Sequence, residues 1–256
     1  EVAIGQHEIG FKYDNALFSA DRVATFKFVA KTIARQHGLV ASFMPKPVYN
    51  WAGSGMHTHL SLIDQEGNNV FYSPTDQYQL SKTALYFIGG LLHHAPAYTA
   101  ITNPLVNSYK RLITGYEAPV YVSWSAQNRS ALVRVPASRK QGTRVELRSP
   151  DPACNPYLAI AVAIKAGLDG IKNKILPPPS LVQNIYHMDE QERLAAGVTS
   201  LPASLEQAIV ELQKNEVICS ALGEHILTQF VRAKMNDWRE YCSQVHEWEI
   251  NKYLGV

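Results

Sequence analysis

Cysteine, net charge and long apolar runs are all scarce in this sequence. Three cysteines (Cys154, Cys219, Cys242) are scattered over 256 residues with no C-x-x-C pair. That spacing argues against a disulfide frame or a cysteine zinc site and suits a reducing compartment. Lys and Arg number 24 against 22 Asp and Glu, so no basic field points to nucleic acid. The longest apolar run, Leu158 to Ile164, is too short to span a bilayer, and no signal peptide opens the chain. These absences indicate a soluble, cytoplasmic protein. Neither a Walker A signature nor G-x-G-x-x-G occurs, so any nucleotide would be held by side chains and metal. There is no internal repeat and no low-complexity tract. The chain starts at Glu1 without an initiator Met, on what reads as the approach to a strand, which suggests a piece of something longer. What remains is ordinary globular composition, 46% hydrophobic and 18% charged, enough for one large domain or two small ones.

The pattern along the chain predicts strands that carry polar faces and helices that cover their backs. Gln6 to Asp14 alternates and predicts a strand. Asp21 is positioned to cap a helix with Val23, Phe26, Ala30 and Ile33 at helical spacing, closed by Gly38. Leu39 to Met44 reads as a strand stopped by Pro45 and Pro47. Met56 to Leu62 alternates, with His57, His59 and Ser61 on one face, before a hairpin turn at Gly67-Asn68-Asn69. A helix spans Ser81 to His94, and strands fall near Val120–Trp124 and Ala131–Val135. Asn155 and Pro156 start a helix running to about Lys174. Helices then dominate: Asp189 to Ala196, a capping box at Ser204 to Gln207, and a long helix from about Glu224 to Val245.

The stretch that organises the rest is Arg144-Val145-Glu146-Leu147-Arg148 with the Asp151–Asn155 turn after it. On a strand, Arg144, Glu146 and Arg148 share a face, while Val145 and Leu147 turn to a core. Two guanidiniums around a carboxylate suit an anion or metal site, although most isolated runs of this kind are surface salt-bridge ladders. Glu1, Glu8, His57 and Glu146 are the metal candidates. Three carboxylates and one imidazole suit Mg²⁺ or Mn²⁺ better than zinc, and the plain alternative for each is a hydrogen-bonded polar residue. The Gly53-Ser54-Gly55 loop lets backbone approach a ligand closely. Arg111, Arg129, Arg134, Arg144 and Arg148 suggest an anionic substrate, against a reading as generic surface charge. Thr114-Gly115-Tyr116-Glu117-Ala118-Pro119 reads as structure as a turn. Read as chemistry, it is a flap whose Glu117 could serve as a base on closure.

The chain resembles the catalytic domain of bacterial type I glutamine synthetases. The matching stretches are Gly5-Gln6-His7-Glu8, Met44-Pro45-Lys46-Pro47, Gly53-Ser54-Gly55-Met56-His57, Asn107 through Pro119, Ser125-Ala126-Gln127-Asn128-Arg129, and Arg144 through Pro156. They occur in the family's order from residue 1 to about Lys174, and the helical tail resembles the family less distinctively. The resemblance implies an α+β fold over residues 1–256: a curved, mainly antiparallel sheet forming a partial barrel, surrounded by helices, with a helical last third. It implies that Glu1 and Glu8 hold one metal and His57 and Glu146 a second, in a site of two or three Mg²⁺ or Mn²⁺ ions. Gly53, Arg111 and Arg148, with Glu117 and Arg129, fall at glutamate positions. Arg129 and Arg134 fall where the phosphoryl group is gripped. Tyr13, His59, Ser61 and Arg144 join them as ATP contacts, and Glu117 takes the proton from ammonium.

The implied reaction joins ammonia to glutamate at the expense of ATP, through a γ-glutamyl phosphate. Two related readings stand beside it: a γ-glutamyl–amine ligase taking larger amines such as polyamines, and a non-catalytic assembly or regulatory relative. Ala52 stands where type I members often have Asn, which removes one polar contact to the amino acid. The family's smaller N-terminal domain and its Glu-x-Glu strand are not in this sequence, so the chain alone is expected to have little or no synthetase activity. Full-length relatives imply a double-ring dodecamer. Trp248 and Tyr253 in the terminal segment are expected at such an interface. Tyr186 falls where some relatives are adenylylated, although a plain loop tyrosine fits as well.

Overall fold

The computed structural model describes residues 1–126, 128–181, 185–188, 190–195 and 197–256. In chain order the elements are α1 (Ala16–Gln36), β1 (Thr58–Leu60), α2 (Lys82–His93), α3 (Ala95–Thr102), α4 (Ser108–Arg111), β2 (Tyr121–Val122), β3 (Trp124–Ser125), β4 (Val133–Arg134), β5 (Val145–Leu147), α5 (Pro156–Asn173), α6 (Glu190–Ala195), β6 (Thr199–Ser200), α7 (Leu205–Gln213), α8 (Glu216–Ser243) and α9 (Glu247–Tyr253). The expected α+β class holds, with helices dominating from Pro156 onward.

One sheet has the order β1-β5-β4-β3. Its central strand β5 pairs antiparallel with β1 and with β4, while β3 joins β4 in parallel. A separate antiparallel pair joins β2 to β6, and neither sheet closes on itself among the described residues. Val133, Val145 and Leu147 are fully buried, as expected for the core-facing half of an alternating strand. The register sets His59 opposite Glu146 on one side and Arg134 opposite it on the other. Three polar side chains from three strands therefore share one face.

Behind the sheet, α2 and α5 pack backbone to backbone. A Cβ on Gly90 would lie 2.1 Å from the Ala166 carbonyl oxygen, and one on Gly170 would lie 2.2 Å from that of Tyr86. Glycine is what permits this approach. Asn155 caps α5 by accepting from Tyr157 N at 3.0 Å, with Pro156 in the first turn. No helix of the described residues is long and apolar enough to cross a membrane.

Several predicted elements differ from those observed. Gln6 to Asp14 and Leu39 to Met44 form no strand. Their alternation is nonetheless used: Phe26 of α1 meets Phe11 at 5.4 Å and Phe43 at 6.0 Å, both edge-on. Alternation describes which side chains point inward; a ladder also needs a partner backbone, and neither segment has one among the described residues. The cap of α1 is Asn15, which accepts from Phe18 N at 3.0 Å. Asp21 lies inside that helix and accepts from the Tyr157 hydroxyl at 2.6 Å. The last long helix begins at Glu216, capped by Asn215, and its path breaks at Gly223, where φ is 73°. The predicted start at Glu224 found that break rather than the true N-terminus. Both ends of the helix predicted over Asp189 to Ala196 lie outside the described residues. The turn at Gly67 is present, with Asn68 N donating to the Asp64 carboxylate at 2.7 Å.

Candidate active site

Glu146 is the hub. It is 3% exposed, on the central strand, and three cationic or imidazole groups converge on it. His57 Nδ1 lies 3.2 Å from Oε1, Arg134 Nε donates to Oε2, and Arg148 Nε stands 3.8 Å from Oε1. Burial by itself would raise the carboxyl. Hydrogen bonds from His57 and Arg134, with their charges, outweigh burial and hold Glu146 down to about 2.

The neighbouring side chains follow from the strand register. His59 accepts at Nδ1 from Arg144 Nε at 3.1 Å. Burial lowers its pKa, and the Arg144 and Arg134 charges add to that against the pull of Glu146. An imidazole that accepts at Nδ1 carries its proton on Nε2. Ser61 is exposed just beyond β1.

Arg111 and Arg148 are the buried arginines, 3% and 7% exposed. Arg111 donates to the Ser149 carbonyl at 2.6 Å and to that of Arg148 at 3.2 Å. Burial lowers it to about 10, with Asp151 opposing. Arg111 also supports the glycine loop: a Cβ on Gly53 would meet the Pro45 carbonyl oxygen at 2.5 Å and Arg111 Cγ at 2.9 Å. Arg148 differs, because its Nε and Nη1 are buried without a hydrogen-bond partner among the described residues. Buried guanidinium donors without acceptors are costly, and a planar fork of this kind suits a carboxylate or phosphate.

The remaining predicted residues fall in three places. Glu1 and Glu8, both exposed, are close enough to hydrogen-bond to each other. That bond and the Glu1 charge raise Glu8, with His57 pulling the other way. Glu117 lies on an exposed segment at φ 60°, and its charge reaches both Arg148 and Tyr186. Arg129 is exposed on the turn between β3 and β4. Tyr13 is 91% exposed just before α1. The neighbouring Gln127, and Asn184 before Tyr186, lie outside the described residues.

The donors fit a hard divalent cation, since Glu1, Glu8, Glu146 and His57 offer carboxylate oxygens and one imidazole nitrogen. Two carboxylates drawn to hydrogen-bonding distance are what a cation between them would otherwise neutralise. Among the described residues no three His, Cys, Asp or Glu are gathered to hold one ion. Each pair offers two protein donors, fewer than a hard divalent ion takes.

Residues 1–253 match the family model described as the glutamine synthetase catalytic domain. The chain belongs to the glutamine synthetase family. It is 58% identical to the glutamine synthetase of Thermus thermophilus over all 256 of its residues, which is 57% of that protein. The glutamine synthetase of Methanosarcina mazei is 54% identical over the same span, again 57% of its length. Among solved structures, a complex of GmaS with ADP superposes at a TM-score of 0.86 with 39% identity, over 96% of this chain and 56% of that one. The chain thus spans a little over half the length of the proteins it matches. Use of ATP and of a divalent metal goes with the family.

Some residues in the site carried no signal of their own in the sequence. Asn103 donates to the Asp151 carboxylate at 3.0 Å and to the Ser149 carbonyl at 2.8 Å. Lys46 was visible only as part of a motif; in the structure it is 7% exposed against the Tyr116 ring. A lysine between two prolines has no periodicity to betray a buried side chain.

Proposed function

We propose that residues 1–256 are the catalytic domain of a longer ATP-dependent ligase that joins ammonia to L-glutamate, giving L-glutamine, ADP and phosphate. The observation that carries this reading is Arg148, with two buried donors that find no hydrogen-bond acceptor among the described residues, beside the Glu146–His57 pair. An anion-binding fork next to a metal-binding pair suits an amino-acid carboxylate held beside a nucleotide phosphate.

A carboxylate is a poor acylating agent, so ammonia needs a better leaving group than oxide. Phosphoryl transfer to the glutamate side chain supplies one, as γ-glutamyl phosphate, and its catalysis is mostly positioning and charge neutralisation. Mg²⁺ or Mn²⁺, bound through Glu1 and Glu8 and through His57 and Glu146, supplies charge for the phosphates and braces the substrates. Arg148, with Arg111 behind it, binds the amino acid, and Gly53 brings backbone close to it. Arg129 and Arg134 stabilise the transferring phosphoryl group. Tyr13, His59, Ser61 and Arg144 hold the nucleotide. Glu117 takes a proton from ammonium, which frees the attacking lone pair.

In the whole protein this domain works in the cytoplasm as part of a double-ring assembly, with exposed Trp248 and Tyr253 at contacts between copies. A γ-glutamyl–amine ligase is the second reading, supported by Ala52, which removes a polar contact on the Gly53 loop. The test is phosphate release by the full-length protein with glutamate and ATP, comparing ammonium with small amines and polyamines. Ammonium as the preferred acceptor is expected. Preference for an amine would favour the second reading, and no acceptor-dependent release would overturn both. The 256-residue chain alone is expected to show little or no γ-glutamyl transfer.

A further inference from the structure

Glu117 has a φ of 60° and follows Gly115 at 92°. A residue with a Cβ resists that conformation and keeps it only where its surroundings over-determine it. Here both flanking residues are tied down. On one side the Tyr116 ring lies 3.5 Å from the Lys46 ammonium, measured to the ring centroid, and its hydroxyl donates to Asn50 Oδ1 at 3.0 Å. On the other side the Tyr186 hydroxyl donates to the Ala118 carbonyl at 2.6 Å.

The Lys46 anchor is itself fixed. The Asn107 side chain accepts from Lys46 N at 2.8 Å and donates to its carbonyl at 3.0 Å. The ammonium also donates to the Trp51 carbonyl. Burial disfavours that ammonium, and the electron-rich face of Tyr116 offsets part of the lost hydration. Lys46 and Asn50 belong to the loop that leads into Gly53, so this contact joins the flap to the glycine loop. Glu117, between the two anchors, is left with its charge felt at Arg148.

We propose that Lys46 and Tyr116 are positioning residues for Glu117: a cation–π clasp, closed by Asn50, sets the flap carboxylate towards the substrate when the glycine loop is in place. This rests on reading Glu117 as the base for ammonium and names what holds it there. Neither residue touches a reacting atom; both act through Glu117.

The test uses the full-length protein with Lys46→Met, Lys46→Arg, Tyr116→Leu and Tyr116→Phe, read by amide hydrogen exchange over residues 113–118 and by steady-state kinetics. Lys46→Met and Tyr116→Leu are expected to speed exchange and to lower kcat/KM for ammonium, each by about tenfold, the scale of one well-formed cation–π contact. The KM for ATP is expected to stay within about twofold, since the residues proposed to hold the nucleotide are not part of the clasp. Lys46→Arg and Tyr116→Phe keep a cation over a ring and should recover most of both effects. Unchanged exchange in Lys46→Met and Tyr116→Leu would overturn the clasp. Faster exchange with wild-type ammonium kinetics would overturn the positioning role. If Lys46→Met does not fold, the Tyr116 pair decides by the same criteria. Absence of ammonium-dependent turnover in the wild-type protein would instead sink the ligase reading, while exchange would still judge the clasp.

Discussion

Replacing Glu146 by Gln tests the hub of the site without changing its shape. The drop from an ordinary 4.5 to about 2 is worth about 3 kcal/mol at about 1.4 kcal/mol per pKa unit. Because the folded-state pKa is depressed, that stabilisation is fully present above the ordinary value. It is lost as pH falls through 4.5 towards about 2. Glu146→Gln is therefore expected to lower the unfolding free energy of the metal-free protein by about 3 kcal/mol at neutral pH. The loss includes leaving Arg148, only 7% exposed, without its nearest counter-charge. The gap between variant and wild type should shrink steadily below pH 4.5. Urea denaturation across a pH series measures this directly. Calorimetry with Mn²⁺ adds an independent reading, since the His57–Glu146 pair should lose most of its affinity when one donor becomes a neutral amide. A variant within about 0.5 kcal/mol of wild type at neutral pH would show that the convergent contacts do not stabilise the ionised carboxylate. Wild-type Mn²⁺ binding would remove Glu146 from the metal ligands.

Three further outcomes follow from the packing and the charges. Gly90→Ala should destabilise by about 2 kcal/mol or more in a thermal melt, because the overlap with the Ala166 carbonyl outweighs the gain of about 1 kcal/mol in helix propensity. Gly10→Ala, outside any helix and with nothing near its Cβ, lacks the overlap and should change little. Asp169→Asn should cost about 1–2 kcal/mol at neutral pH, by loss of the charge-assisted bond to buried His94. Burial works against ionised Asp169, but the His94 and Asn173 hydrogen bonds prevail and lower its pKa. Its contribution is therefore present above 3.8 and should fade as a denaturation series descends below that value. Arg148→Lys in the full-length protein should raise the KM for glutamate about tenfold or more, since an ammonium cannot replace a planar fork. An unchanged KM would place the amino acid elsewhere.

How far the molecule could be read from its residues depended on the range of the interaction. Period and capping are local, so the α5 start at Asn155-Pro156, the turn at Gly67 and the buried back of β5 all follow from a few neighbouring side chains. The polar faces carrying His57, His59 and Glu146 were visible for the same reason, since alternation along one strand needs no partner. Motif order along the chain was enough to identify the family.

Partnership was not legible, because it is fixed by chain segments far apart in sequence. Only the assembled sheet puts Arg134 and His59 on either side of Glu146. Only the tertiary fold leaves Gln6–Asp14 and Leu39–Met44 packed on α1 rather than laddered, or separates Arg111, with donors used on backbone carbonyls, from Arg148, with two donors that make no hydrogen bond among the described residues. Side-chain chemistry and spacing therefore determined which groups this protein brings to a site. Burial and long-range contact decided which of them hold one another and which do not, because desolvation and hydrogen-bond pairing exist only once distant segments meet.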